Sequence, residues 1–224
     1  MRPNSKFVLF DYDGTIVNSE MAIITGIKYA LELYKYDIPS DELLKKNIGR
    51  ALLPVFAELT GDPNPAMHNK LLEAYRRWYF NASEKEIIDD YLYPEAFTTI
   101  RALYEDGYIL GIATNKSKTG LLDGLKRHNL SNFFTTIKTI QDCDPKPLPE
   151  MGLESIREAG VLKSNTVMIG DTINDALMSK SCNIKFLGVS WGFNDTETLL
   201  INGALTVVNS YSELYQEIKN IFNL

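Results

Sequence analysis

Residues 7–15 read Phe7-Val8-Leu9-Phe10-Asp11-Tyr12-Asp13-Gly14-Thr15. Four consecutive apolar residues predict a strand covered on both faces, because a half-exposed strand would alternate apolar with polar side chains. That strand delivers two acids one residue apart. In an extended chain residues i and i+2 share a face, so Asp11 and Asp13 point at one spot. Gly14 lets the backbone turn away without a Cβ clash. Like charges this close raise the proton affinity of one partner unless a cation intervenes. The segment reads as half of a metal site, an acid/base pair, or both.

Working outward, similar apolar runs recur at 108–113, 167–169, 186–189 and 205–208, with a weaker one at 135–140. Helical patterns over 95–105, 118–127, 150–159, 173–179 and 212–222 fill the gaps. This alternation predicts an α/β fold, a Rossmann-like doubly wound parallel sheet with helices on both faces. From Ser19 to Glu86 the rhythm breaks and only helical periodicity appears. Ser19 is placed to cap a helix running through Tyr34; further helices are expected at 42–47, 51–59 and 65–80, the last opened by Pro65. An α-helical cap subdomain inserted after the first strand is the expectation. It covers residues 18–85, between core segments 1–17 and 86–224. Trp78 and Tyr79 read as packing residues of its final helix, and Arg76-Arg77, like Lys45-Lys46, as a solvated helix face.

The chain of 224 residues, 45% hydrophobic, is long enough to bury a sizeable core. A net charge of −6 and a pI near 5.1 argue against nucleic acid or an anionic membrane as partner. Cys143 and Cys182 have no paired spacing, which fits a reducing, cytoplasmic setting and disfavours a thiolate metal site. No apolar stretch approaches a membrane span. His68 and His128 lie on expected helices and read as surface or packing residues.

In open α/β sheets ligands sit outside the carboxyl ends of the strands. The 108–113 run ends in Thr114-Asn115, with Ser117 placed to cap the next helix, a combination that suits an anion. Lys146 lies in Asp144-Pro145-Lys146-Pro147-Leu148-Pro149, where flanking prolines restrict the backbone that aims its ammonium. Asp171 and Asp175 follow Gly170 at the start of a helix, four residues apart and able to face one side. Brought together, Asp11, Asp13, Asp171 and Asp175 would repel one another strongly, with one fixed lysine opposing them. A hard divalent cation with all-oxygen ligands, Mg²⁺, resolves the conflict and favours a bound phosphoryl group.

These four motifs, in this order, resemble those of the haloacid dehalogenase superfamily, and within it the phosphoglycolate phosphatase-like hydrolases. Thr114-Asn115-Lys116, Lys146-Pro147-Leu148-Pro149-Glu150, Gly170-Asp171-Thr172 and Trp191-Gly192-Phe193 suggest that branch. The resemblance implies that Asp11 attacks phosphorus and that Asp13 protonates the leaving oxygen and then activates water. It implies Mg²⁺ held by Asp11, the backbone carbonyl of Asp13 and Asp171, with Asp175 in support. Thr114, Asn115 and Lys146 would hold the phosphoryl oxygens. Asp13 disfavours dehalogenation, and Thr114-Asn115 with Gly170-Asp171 favours a hydrolase over a β-phosphoglucomutase-like phosphotransferase. Pyrophosphatase, nucleotidase and non-catalytic phosphate binding stay open, as does a Schiff-base lysine at Lys45 or Lys46. Arg50, in the cap segment Asn47-Ile48-Gly49-Arg50, is expected to fork onto a second anionic group of the substrate. The partner is a small phosphorylated metabolite; monomer and homodimer read alike.

Overall fold

A computed structural model describes residues 5–85 and 87–223. The chain begins with β1 (Phe7–Phe10) and β2 (Val17–Asn18), then four helices: α1 (Glu20–Leu33), α2 (Asp41–Lys45), α3 (Leu52–Thr60) and α4 (Pro65–Glu84). After β3 (Tyr91–Leu92) come α5 (Ala96–Glu105), β4 (Ile109–Thr114), α6 (Lys118–Arg127), β5 (Thr136–Thr139) and α7 (Glu150–Ala159). Then follow β6 (Thr166–Gly170), α8 (Ile173–Cys182), β7 (Lys185–Val189), α9 (Thr196–Ile201), β8 (Val207–Val208) and α10 (Tyr211–Asn223).

Six strands form one parallel sheet in the order β5-β4-β1-β6-β7-β8. β1 sits between β4 and β6, with Phe10 in register with Ile112 and Ile169. All four side chains of β1 are fully buried, which accounts for the continuous apolar run. Val8 and Phe10 enter one core layer, with Ile100, Leu121 and Ile218 of α5, α6 and α10. Phe7 and Leu9 enter the other, with Met151 and Met178 of α7 and α8. Each of these β1 side chains contributes about 2 kcal/mol of transfer free energy. The result is a parallel sheet between two helical layers, as the alternation of strands and helices predicts.

The four helices after β2 carry their own apolar cluster, including Ile24, Ile27, Leu31, Phe56, Leu71 and Tyr75. α1 and α4 approach closely at Gly26, where a Cβ would come within 2.8 Å of the Tyr75 and Trp78 rings. Chain entry to and exit from this helical unit are tied together by an antiparallel ribbon, Val17 opposite Leu92 and Asn18 opposite Tyr91. Two-residue strands have no periodicity to read, so the ribbon is invisible in the sequence. The short α9 is likewise absent from the sequence reading. α4 runs on to Glu84, past the expected end at Phe80, and β8 is confined to Val207–Val208. Among the described residues no helix is long and apolar enough to cross a membrane. Cys143 and Cys182 are both free thiols.

Candidate active site

The carboxyl ends of β1, β4 and β6 place Asp11, Thr114 and Asp171 along one edge of the sheet. The Asp11 backbone N–H continues the ladder to the Ile169 carbonyl at 2.9 Å, so its side chain is held by strand geometry. Gly14 then turns the chain with φ +82; a Cβ there would lie 2.3 Å from Asp171 Oδ2. Gly192 packs as closely, since its Cβ would lie 2.1 Å from Asp171 Cβ.

Asp171 is wholly buried. Thr15 Oγ1 donates to its Oδ1 at 2.7 Å and the Phe193 N–H to its Oδ2 at 2.9 Å. Asp11, Asp171 and Asp175 each offer an oxygen within 4.8 Å of the others. Lys146 Nζ stands between two of them, 2.9 Å from Asp11 Oδ1 and 2.6 Å from Asp175 Oδ1. The other Asp175 oxygen accepts from the Thr172 N–H and hydroxyl at 3.0 and 2.8 Å, closing a capping box at the start of α8. Asp175 therefore serves the helix end and Lys146 together.

Burial changes the proton affinities here. Removal from water raises the Asp11 pKa to about 7, with Lys146 pulling down and Asp175 pushing up. Asp171 is pushed well above the carboxylate range by burial, then by the Asp11 and Asp175 charges. Burial disfavours the Lys146 ammonium, yet Asp11 and Asp175 hold its pKa above the ordinary lysine value. The donor set is all oxygen, buried and in excess of its lysine, which fits a hard divalent cation such as Mg²⁺.

Asp13 lies outside this triad. Its carboxylate receives Lys116 Nζ at 3.0 and 3.2 Å and the Ser19 hydroxyl at 2.7 Å. Ser19 thus holds Asp13 and makes no side-chain cap on α1. Lys116 also sits 4.5 Å from the centre of the Tyr79 ring. Burial works against its charge, but Asp13 keeps its pKa above the ordinary lysine value. Two buried lysines, not one, oppose the four aspartates. Sequence reading noticed Lys116 only as part of a motif, because nothing local says that a lysine after Thr114-Asn115 folds inward.

Asn115 acts as a strut. It accepts from the Lys146 N–H at 2.8 Å and donates to the Lys146 and Gly49 carbonyls at 3.0 and 2.9 Å. Asn174 donates to the same Gly49 carbonyl at 3.2 Å, so the 47–50 segment is pinned to the sheet edge from two sides. Ser117 caps α6 as expected, accepting from the Gly120 N–H at 3.3 Å. Arg50 lines the cavity above the aspartates. Its guanidinium fork, however, is engaged by Glu58, with Asn47 Oδ1 at 2.6 Å. Lys45 is paired with Glu20 at 2.8 Å near the surface. Arg76 departs from the solvated-face reading: it is half-buried and lines the same cavity.

Residues 8–189 fit the haloacid dehalogenase-like hydrolase family. The chain belongs to that family. Pyrophosphatase PpaX of Bacillus pumilus is 31% identical over 86% of each chain, and so is PpaX of Listeria monocytogenes. Among solved structures, a predicted phosphatase from Clostridium acetobutylicum superposes with a TM-score of 0.85 at 25% identity, covering 96% of this chain and 99% of that one. A predicted phosphoglycolate phosphatase from Haemophilus somnus gives a TM-score of 0.83 at 20% identity, covering 97% and 99%, a likeness of fold. The protein is thus a hydrolase of the haloacid dehalogenase-like family with phosphatase homologues.

Proposed function

We propose that the protein is a Mg²⁺-dependent phosphomonoester hydrolase working through an aspartyl-phosphate on Asp11. One observation carries the reading: a buried carboxylate, Asp11, held 2.9 Å from Lys146 on the floor of a cavity, with Asp171 and Asp175 oxygens within 4.8 Å. In this reading residues 18–85 cap a core made of 1–17 and 86–224, and the cap excludes bulk water. Bound Mg²⁺, held by Asp11, the Asp13 carbonyl and Asp171, would neutralise phosphoryl charge.

The chain's own groups do the rest. Lys146 and the Thr114 hydroxyl hold phosphoryl oxygens, and Asn115 holds Lys146 in place. An Asp11 oxygen forms a bond to phosphorus as the bond to the ester oxygen breaks. Asp13 gives its proton to that oxygen, releasing an alcohol. Water then attacks the phosphoenzyme, Asp13 takes its proton, and Asp11 and inorganic phosphate are restored. An incoming phosphoryl group offers Lys116 a second anion, which loosens its hold on Asp13 and frees that carboxyl for proton transfer.

The test is hydrolysis of p-nitrophenyl phosphate and of inorganic pyrophosphate, each with Mg²⁺ and with chelator. Mg²⁺-dependent release of p-nitrophenol supports the reading; turnover of pyrophosphate alone, or of neither, defeats it.

A stability measurement checks the metal separately. Asp11 is raised from 3.8 to about 7, and Asp171 is raised too. A carboxyl whose folded pKa is raised stabilises the fold fully below its unfolded value and loses that contribution as pH climbs through the folded one. For Asp11 the loss falls between 3.8 and about 7. Mg²⁺ relieves the charge that remains, so it raises Tm more near neutral pH than in mild acid. The gain is about 5 °C at metal about 30-fold above its Kd. An equal gain at both pH values, or none, counts against the site.

A further inference from the structure

A cavity of about 400 Å³ lies between the aspartates and the helical unit. One wall is a single stripe of α4, in which Leu72, Tyr75, Arg76, Tyr79 and Phe80 recur at helical spacing. Four of these five are apolar or aromatic, and the fifth is a cation. Inorganic pyrophosphate has no apolar part with which to cover such a wall; an organic leaving group has.

Arg76 brings an unsatisfied donor to this cavity. Its Nε is shut off from solvent and has no hydrogen-bond partner among the described residues. The other inward cations are committed, Lys116 to Asp13 and Arg50 to Glu58 and Asn47. Arg77, which also lines the cavity, is exposed. A buried guanidinium N–H without an acceptor carries a desolvation cost that an anion would remove. Arg76 shares its helix face with Tyr79, one turn away, and Tyr79 touches Lys116 beside Asp13.

We propose that Arg76 binds a second anionic group on the leaving-group side of the substrate. The substrate class is then an organic phosphomonoester with an apolar or aromatic body that ends in a carboxylate or another phosphate. The inference rests on the phosphomonoesterase reading and names the substrate of that same site. The arginine expected in this role from the cap segment, Arg50, is the competing assignment, and its existing fork with Glu58 is the reason it ranks second.

The experiment uses a matched pair, phenyl phosphate and 4-carboxyphenyl phosphate, which differ by the para carboxylate, with the intact protein and Mg²⁺. The readout is the ratio of kcat/KM for the carboxylated ester to that for the plain one. Arg76→Gln is expected to lower this ratio about 10- to 100-fold, the range for a lost charge-assisted hydrogen bond, with the change carried by KM. Arg76→Lys, which keeps the charge and much of the stem, retains part of the ratio. An unchanged ratio in both variants overturns the assignment, as does a ratio that falls in Arg50→Gln but not in Arg76→Gln. If the wild type turns over neither ester, the phosphomonoesterase reading fails first and takes the inference with it. If it turns over both and the ratio ignores Arg76, only the inference fails.

Discussion

Asp11→Asn is expected to lose about 10⁴-fold or more in kcat while remaining folded, because the amide preserves shape but replaces the anionic nucleophile with a neutral, far weaker one. Asparagine retains an oxygen able to accept from Lys146 and from the Tyr12 N–H, which now contact Asp11 at 2.9 and 2.6 Å. Lys146 also keeps its second partner, Asp175, at 2.6 Å. Burial already disfavours the ionised form of Asp11, whose pKa stands near 7. Exchanging it for a neutral group therefore removes a strained charge in metal-free buffer at alkaline pH. Thermal melts there should show a Tm equal to or above that of the wild type. Acid-quenched enzyme after exposure to ³²P-labelled substrate should carry label in the wild type and none in the variant. Retained activity, or retained label, would end the case for Asp11 as nucleophile.

Lys146→Met should damage stability as well as turnover. The Lys146 side chain is 1% exposed and lies between Asp11 and Asp175, so methionine fills its space but leaves two buried carboxylates uncompensated. Breaking one side of a buried ion pair costs about 3–5 kcal/mol. For a chain of this length that is a fall of about 10 °C in Tm. The sign of its pH dependence is fixed by the same charges. Lys146 pulls the Asp11 pKa down to about 7, so its loss raises that pKa further, and the deficit shrinks as pH falls from alkaline towards about 7. A deficit that stays constant from alkaline to neutral pH would mean that lost packing, not lost charge, explains the variant. Phosphatase turnover should fall as well, since Lys146 no longer meets the phosphoryl oxygens.

The gathering of these residues was readable without coordinates because it depends on position along a strand. Asp11 follows β1 directly, Thr114 ends β4, and Asp171 follows Gly170 at the end of β6. A parallel sheet puts all such positions at one edge, so the order of motifs carries spatial information. Lys146 was legible for a different reason: prolines on both sides restrict its backbone, and the structure sets its ammonium between Asp11 and Asp175.

Other residues gave no local sign. Arg76 lies on a stretch that reads as a solvated helix face, and Lys116 stands out only as part of a motif, yet the fold sets Arg76 in the cavity wall and Lys116 against Asp13 and the Tyr79 ring. Ser19 has the sequence context of a helix cap, yet Asp13 lies within 2.7 Å and takes its hydroxyl. Arg50 lies next to the cavity as expected, but Glu58, eight residues later, claims its fork.

The amino-acid sequence alone determines the layered sheet, the helical insertion after its first strand, and the edge at which the acids gather. It does so because buried strands, caps and turns are short-range consequences of side-chain pattern. Which cations face those acids, and that the Arg76 Nε is left without an acceptor among the described residues, was decided by tertiary structure. Those outcomes depend on contacts between segments far apart in the chain, such as Asp13 with Lys116 and Lys146 with Asp175. No one-dimensional periodicity records such contacts.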